Sequence, residues 1–166
     1  MRKFIAIIII FIILILSTIG LIFINYKSDI DAINSLNVNL MNVEKPLDII
    51  TDITVTSFKL NFDVEINNPS DRDVIDLSTD FKIYIEDNYV GEGNFSDVDV
   101  PNNSNISNNV IVTIYYDGLA DAVVNIIKNI INNEEFKLEI KGTLYAKALF
   151  GMSIIEQDYI AKKTYQ

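Results

Sequence analysis

The chain has 166 residues, enough for one domain of ordinary size plus one extra element, and it contains neither cysteine nor histidine. Without imidazole or thiolate, serine and cysteine nucleophiles lose their activating base, and zinc, haem and iron–sulfur sites lose their commonest ligands. With 23 acidic against 13 basic residues the formal charge is −10, a balance that repels phosphate backbones and argues against nucleic acid as a partner.

The extra element comes first in the chain. Phe4 to Ile24 holds no charged residue, and 21 residues in a helix extend about 31 Å, the hydrocarbon thickness of a bilayer. Residues 1–26 therefore read as a single transmembrane helix. A cleaved signal peptide is the competing reading, since Arg2 and Lys3 precede the apolar run. That run exceeds the roughly 7 to 15 residues of a usual apolar region, and no small-residue cleavage site follows it. Arg2 and Lys3 lie before the span, whereas Lys27 beyond it is offset by Asp29 and Asp31. The positive-inside rule then keeps the N-terminus in the cytoplasm and places the remainder outside the cell membrane. That outer part carries the remaining 11 basic residues and all 23 acidic ones, a balance of −12.

Residues 27–35 are polar and without strong periodicity, and read as a tether to a domain over 36–162. Leu36, Val38 and Leu40 alternate with Asn37 and Asn39 as a first strand, and β-branched residues from Ile49 to Thr56 suggest a second strand or a lead-in. Phe58, Leu60, Phe62, Val64 and Ile66 then alternate strictly with Lys59, Asn61, Asp63 and Glu65, the period of a half-buried antiparallel strand. It stops at Asn67-Asn68-Pro69, where proline has no amide to donate to the ladder.

Asn67 to Asp73 reads as a turn, Phe81 to Glu86 as a strand, and Tyr89 to Phe95 as its hairpin partner, with Gly91 and Gly93 as bulge or close-approach positions. Asp97 to Asn109, polar and interrupted by Pro101, reads as a loop. Val110, Val112, Ile114 and Tyr116 resume the alternation. Leu119, Ala122, Val123, Ile126, Ile127 and Ile130 recur at three and four residues, the pattern of one short inserted helix capped by Asp117. Strands return at Phe136 to Leu144 and, after a turn at Leu149 to Gly151, at Met152 to Ile160. Seven or eight short strands, each with one wet face, must close two sheets on each other, so the expected fold is an all-β antiparallel sandwich.

Carboxylates are the remaining candidates for chemistry. Asp71, Asp73 and Asp76 form one cluster, and Asp97 and Asp99 another, but neither has the spacing of a calcium-binding EF-hand loop, and a chain this acidic generates such runs by composition. They read as solvated loops, with no catalytic residue, metal or cofactor expected. Asn94, Asn102 and Asn105 stand in Asn-x-Ser glycosylation patterns, whereas Pro69 excludes Asn68 from one. Tyr84, Tyr89, Tyr115, Tyr116 and Tyr145 read as sheet packing in preference to a ligand platform.

The order of these elements resembles the type 2 late embryogenesis abundant (LEA) proteins, built on the water stress and hypersensitive response (WHy) domain. The resemblance rests on Val64-Glu65-Ile66-Asn67-Asn68-Pro69 closing an alternating strand, with Ser70 where the family often has a second asparagine. Phe81 to Glu86, Val90-Gly91-Glu92-Gly93, the Pro101 segment, Val110 to Tyr116, the short helix and Leu138 to Leu144 complete it. It implies an immunoglobulin- or fibronectin III-like sandwich and a non-enzymatic role in desiccation or water-stress protection. The alternative is an extracytoplasmic interaction module, either an adhesin or an accessory subunit of a surface assembly.

Overall fold

A computed structural model describes residues 2–44, 57–115 and 135–165. Helix α1 (Arg2–Asn34) leads into seven strands among the described residues: β1 (Asn37–Glu44), β2 (Ser57–Asn68), β3 (Val74–Ile85), β4 (Asn88–Val100), β5 (Ser104–Tyr115), β6 (Phe136–Ala148) and β7 (Ser153–Tyr165). They form two antiparallel sheets, ordered β1-β2-β5 and β4-β3-β6-β7. The described residues are thus mostly antiparallel sheet in a sandwich-like arrangement, preceded by one N-terminal apolar helix, as expected.

The alternation in β2 does what its period requires. Leu60, Phe62, Val64 and Ile66 are buried between the sheets, facing Phe81, Ile83, Leu138, Ile140 and Leu144 from the other layer. Phe62 and Phe81 meet edge to face at 6.3 Å across that interior. Phe81 lies between two glycines, paired in register with Gly93 on one side and Gly142 on the other. Its ring occupies the space a side chain at position 93 would need, since a Cβ there would come within 2.7 Å of Cζ. Of the two glycines read as bulge or close-approach positions, Gly93 is a close approach, whereas Gly91 has room, its nearest neighbour being 3.6 Å away, and stands where the β3–β4 register shifts, opposite Ile83 while Tyr84 pairs with Tyr89.

Three expectations change. Residues 27–34, within the stretch 27–35 expected as a polar tether, continue α1 without a break. The upstream apolar helix already supplies the costly nucleus, so each further residue fixed gains a hydrogen bond, and Ala32 and Ile33 become buried against the sandwich. Asp97 to Asn109, expected as a loop, is strand except for a turn at 101–103. There the ladder outweighs turn propensity: Asn105 donates from Nδ2 to Glu65 Oε2 at 3.1 Å and Asn109 to Asp63 Oδ1 at 2.9 Å, both across β2–β5. The strands are also long, mostly 12 or 13 residues. The helix read at 119–130 and the strand or lead-in at 49–56 lie outside the described residues.

The connections 69–73, 101–103 and 149–152 all fall at the end of the sandwich where α1 arrives, because β1, β5, β3 and β7 begin there and β2, β4 and β6 finish there. The β3–β4 hairpin, turning at Glu86 and Asp87 with φ of 49° and 63°, lies at the opposite end.

Candidate functional site at the helix–sandwich junction

At the α1 end, Asn68 is fully buried, one of three buried polar or charged side chains among the described residues. Its Nδ2 donates to the carbonyls of Arg72 (2.7 Å), Val100 (3.1 Å) and Pro101 (3.1 Å). Its Oδ1 accepts from the Ser70 amide (3.1 Å) and the Ser70 hydroxyl (2.7 Å). The side chain thus clasps two sheet-to-sheet corners, β2→β3 and β4→β5, and Asn103 N donates to Ser70 O at 2.8 Å between the same corners. Within the Asn67, Asn68, Pro69 turn the three residues have different duties. Asn67 stays in the ladder opposite Asn105, Asn68 plugs the corner, and Pro69 is exposed at the bend. Ser70 Oγ also accepts from Arg72 N at 3.3 Å, so serine completes the turn.

Arg72, projected from the clasped corner, holds the helix. Its Nη1 donates to Asp29 Oδ1 at 2.8 Å and its Nη2 to Asn25 Oδ1 at 2.7 Å. Asp29 Oδ2 accepts from the Leu149 amide at 2.9 Å, which fastens the β6–β7 turn to the same point. Ile33 is 1% exposed beneath this polar girdle, and Gln157 Nε2 donates to Asn34 O at 3.2 Å. An open cleft of about 580 Å³ lies between helix and sheets, lined by Asn25, Asp29, Arg72, Asp76, Lys147 and Phe150 among others.

Of the two acidic clusters, Asp71, Asp73 and Asp76 line this cleft and Asp97 and Asp99 do not. Asp73 Oδ1 accepts from Asn102 N at 2.8 Å, Asp76 Oδ2 from Lys147 Nζ at 2.7 Å, and Asp99 Oδ1 from Asp76 N at 3.0 Å. Asp97 Oδ2 accepts from Ser96 Oγ at 2.9 Å. Among the described residues no three carboxylates converge as a metal site would require. Of the glycosylation-pattern residues, Asn94 sits on β4, Asn102 in the 101–103 turn and Asn105 on β5, all exposed.

Sequence reasoning missed a second constellation, on the outer face of the larger sheet. Glu139, on the polar face of the strand expected from Phe136 to Leu144, is 1% exposed. Lys141 Nζ lies 2.6 Å from one carboxylate oxygen, and Lys162 and Lys137 lie 2.8 and 3.8 Å from the other. Lys141 also sits 4.6 Å from the Tyr84 ring centroid, and Tyr84 meets Tyr89 edge to face at 5.9 Å. The signal was available in Lys137-x-Glu139-x-Lys141, which places two cations beside one carboxylate on a single strand face.

Hydrogen bonding from Lys141 and then Lys162 holds the Glu139 pKa down to about 2, from 4.5, against the opposing effect of burial. A depressed folded-state pKa contributes stability that is complete above 4.5 and is lost as pH falls through about 2. Glu139→Gln is therefore expected to lower the urea midpoint at pH 7, with the gap to the parent protein narrowing steadily from pH 4.5 toward pH 2. A gap of constant size across that range would show that the charge on Glu139 is not what the lysines hold.

No protein-family model matches the chain, and no curated protein matches it in sequence. Solved structures do match its fold. The Arabidopsis thaliana protein AT1g01470 aligns with a TM-score of 0.51 at 14% identity, over 78% of this chain and 77% of its own. At2g46140.1, described as a candidate late embryogenesis abundant (LEA) protein, aligns with a TM-score of 0.51 at 12% identity, over 90% and 83%. At these identities the likeness is one of fold, and the fold is LEA-like.

Proposed function

We propose that this chain is a membrane-anchored, non-enzymatic protein of the type 2 LEA kind, an immunoglobulin- or fibronectin III-like sandwich that protects the cell-surface environment during water stress. The observation that carries the reading is the fold shared with a candidate LEA protein over nearly the whole chain. The Asn67-Asn68-Pro69 corner, one of the features on which the resemblance in sequence rests, supports it. The acidic, asparagine-rich exterior would retain a hydrated layer, and its net charge would oppose association between proteins as water is withdrawn. Phosphate-rich polymers are unfavourable partners for the same reason.

The anchor reading draws support from the junction. α1 is long and apolar enough to cross a bilayer, a test that a signal sequence also passes. A cleavable signal, however, needs an accessible, extended segment after its apolar core. Here the residues after Ile24 are helical and are held to the domain by Arg72, Leu149 N and the buried Ile33. With the N-terminus cytoplasmic, the sandwich stands outside.

Vesicles bearing the full chain are expected to preserve the activity of an added dehydration-sensitive enzyme through drying and rehydration. The comparison is with vesicles bearing an unrelated single-span protein of equal negative charge; equal protection by the two would refute the stress-protection reading.

A further inference from the structure

The β6–β7 turn is the least polar part of the α1 end of the sandwich. Phe150 is 86% exposed and Met152 74%, and beside them Ile154 is 65% and Ile75 53% exposed. Ile75, Lys147 and Ile154 stand in one row across β3, β6 and β7, so the four apolar residues border a single patch at the end of the larger sheet. Three successive residues, Leu149, Phe150 and Gly151, have φ of 51°, 58° and 84°. A bulky side chain in the left-handed region is uncommon and mildly strained, and here it keeps Phe150 in the open.

The position of this patch along α1 is fixed. Leu149 N bonds Asp29, and Phe150 lines the same cleft as Asn25. Asn25 directly follows the last residue of the uncharged run, and Asp29 is five residues beyond Ile24, about 7.5 Å along the axis. The turn therefore stands abreast of the first turn and a half of helix outside the span. Apolar groups of amphipathic segments reside at this level, where headgroups meet acyl chains.

We propose that Phe150 and Met152, flanked by Ile75 and Ile154, insert into the interfacial layer of the same bilayer that α1 crosses, giving the sandwich a second, shallow lipid contact. The inference rests on the membrane-anchored reading above. The lipid it fits is zwitterionic: Lys147 is neutralised by Asp76, and Asp71 and Asp73 beside it would repel anionic headgroups. The contact would set the lean of the domain, larger sheet toward the membrane, because the 69–73 and 101–103 connections at that end are polar.

The chain has no tryptophan, so single reporters are unambiguous. The full chain would be reconstituted in phosphatidylcholine vesicles with and without lipid brominated high on the acyl chains, carrying Leu16→Trp, Phe150→Trp, Met152→Trp or Tyr89→Trp. Leu16 marks the span, and Tyr89 lies next to the hairpin at the far end. The expected result is blue-shifted emission, lost on bromination, at positions 16, 150 and 152 but not at 89. Quenching at 16 with none at 150 and 152 overturns the inference and leaves the anchor standing. Blue-shifted but unquenched emission at 150 means that protein, such as a second copy, covers the patch, and also overturns it. Quenching at 89 as well as at 150 would reduce the contact to non-specific adsorption. Absence of quenching at 16 refutes the anchored reading and the inference together.

Discussion

Asn68→Ala is expected to destabilise the sandwich by about 3 to 5 kcal/mol, lowering the urea midpoint by about 2 M, although alanine fits the space with ease. The loss comes from three carbonyls and the Ser70 amide and hydroxyl, which are left in a closed corner without the group that joins them. Asn68→Asp separates this account from simple loss of volume. A carboxylate keeps the acceptor for Ser70 but turns an oxygen toward the carbonyls of Arg72, Val100 and Pro101, so at pH 7 it should be worse than alanine. Burial and those oxygens favour the protonated acid and raise its folded-state pKa above the unfolded one. The deficit of Asn68→Asp relative to Asn68→Ala should accordingly shrink as pH falls and the acid regains a hydrogen to donate. Equal denaturation midpoints for the two variants at all pH values would mean that the three carbonyls do not sense the group at position 68, which would refute this account.

Gly142→Ala is the second change expected to have a large effect, about 2 to 3 kcal/mol, from a single added methyl group. A Cβ at 142 would lie 2.6 Å from Asp80 O, 2.7 Å from Phe81 Cβ and 2.9 Å from Tyr159 Cε1. The tyrosine ring can swing away, but Asp80 O and Phe81 belong to the neighbouring strand, whose register fixes Asp80 opposite Thr143 and Phe81 opposite Gly142. Relief would require separating β3 from β6 at the centre of the larger sheet. Gly91→Ala is the matched control, since its nearest atoms are 3.6 and 3.8 Å away. Adding a methyl there restricts the unfolded chain and meets only ordinary contact, so it should be neutral or slightly stabilising. Thermal unfolding of the pair should therefore move apart; similar shifts for both would show that β3 yields where the register says it is held.

Both residues mark where sequence reasoning stops. The period of two in β2 identified its core face, because alternation is a local property and the sheet follows it. Asn68 was legible only as the end of a strand, since two of its partners, Val100 and Pro101, lie 32 and 33 positions away and no local pattern announces them. Gly142 read as one more residue of an alternating strand, its tightness being a matter of what lies across the ladder. The opposite failure befell Lys27 to Asn34 and Asp97 to Asn109. Their asparagines, aspartates and serines carry strong local preferences for turns and caps, and an already nucleated helix in one case and a cross-strand ladder in the other overrode them. Glu139 shows a third kind of gap: its face was readable, but its burial depended on Lys162 arriving from β7.

The Asn68 clasp also bears on how long a folded molecule lasts. Its acceptors converge only after β2, β3, β4 and β5 have all taken their places, so the amide has little to hold while the layers are still assembling. Interactions that form after the rate-limiting barrier govern escape from the native state and leave the approach to it nearly unchanged. Removing the amide should then quicken unfolding by about a hundredfold or more while refolding proceeds at almost its former pace. A domain secured in this way has a lifetime set by a latch at the end nearest its helix.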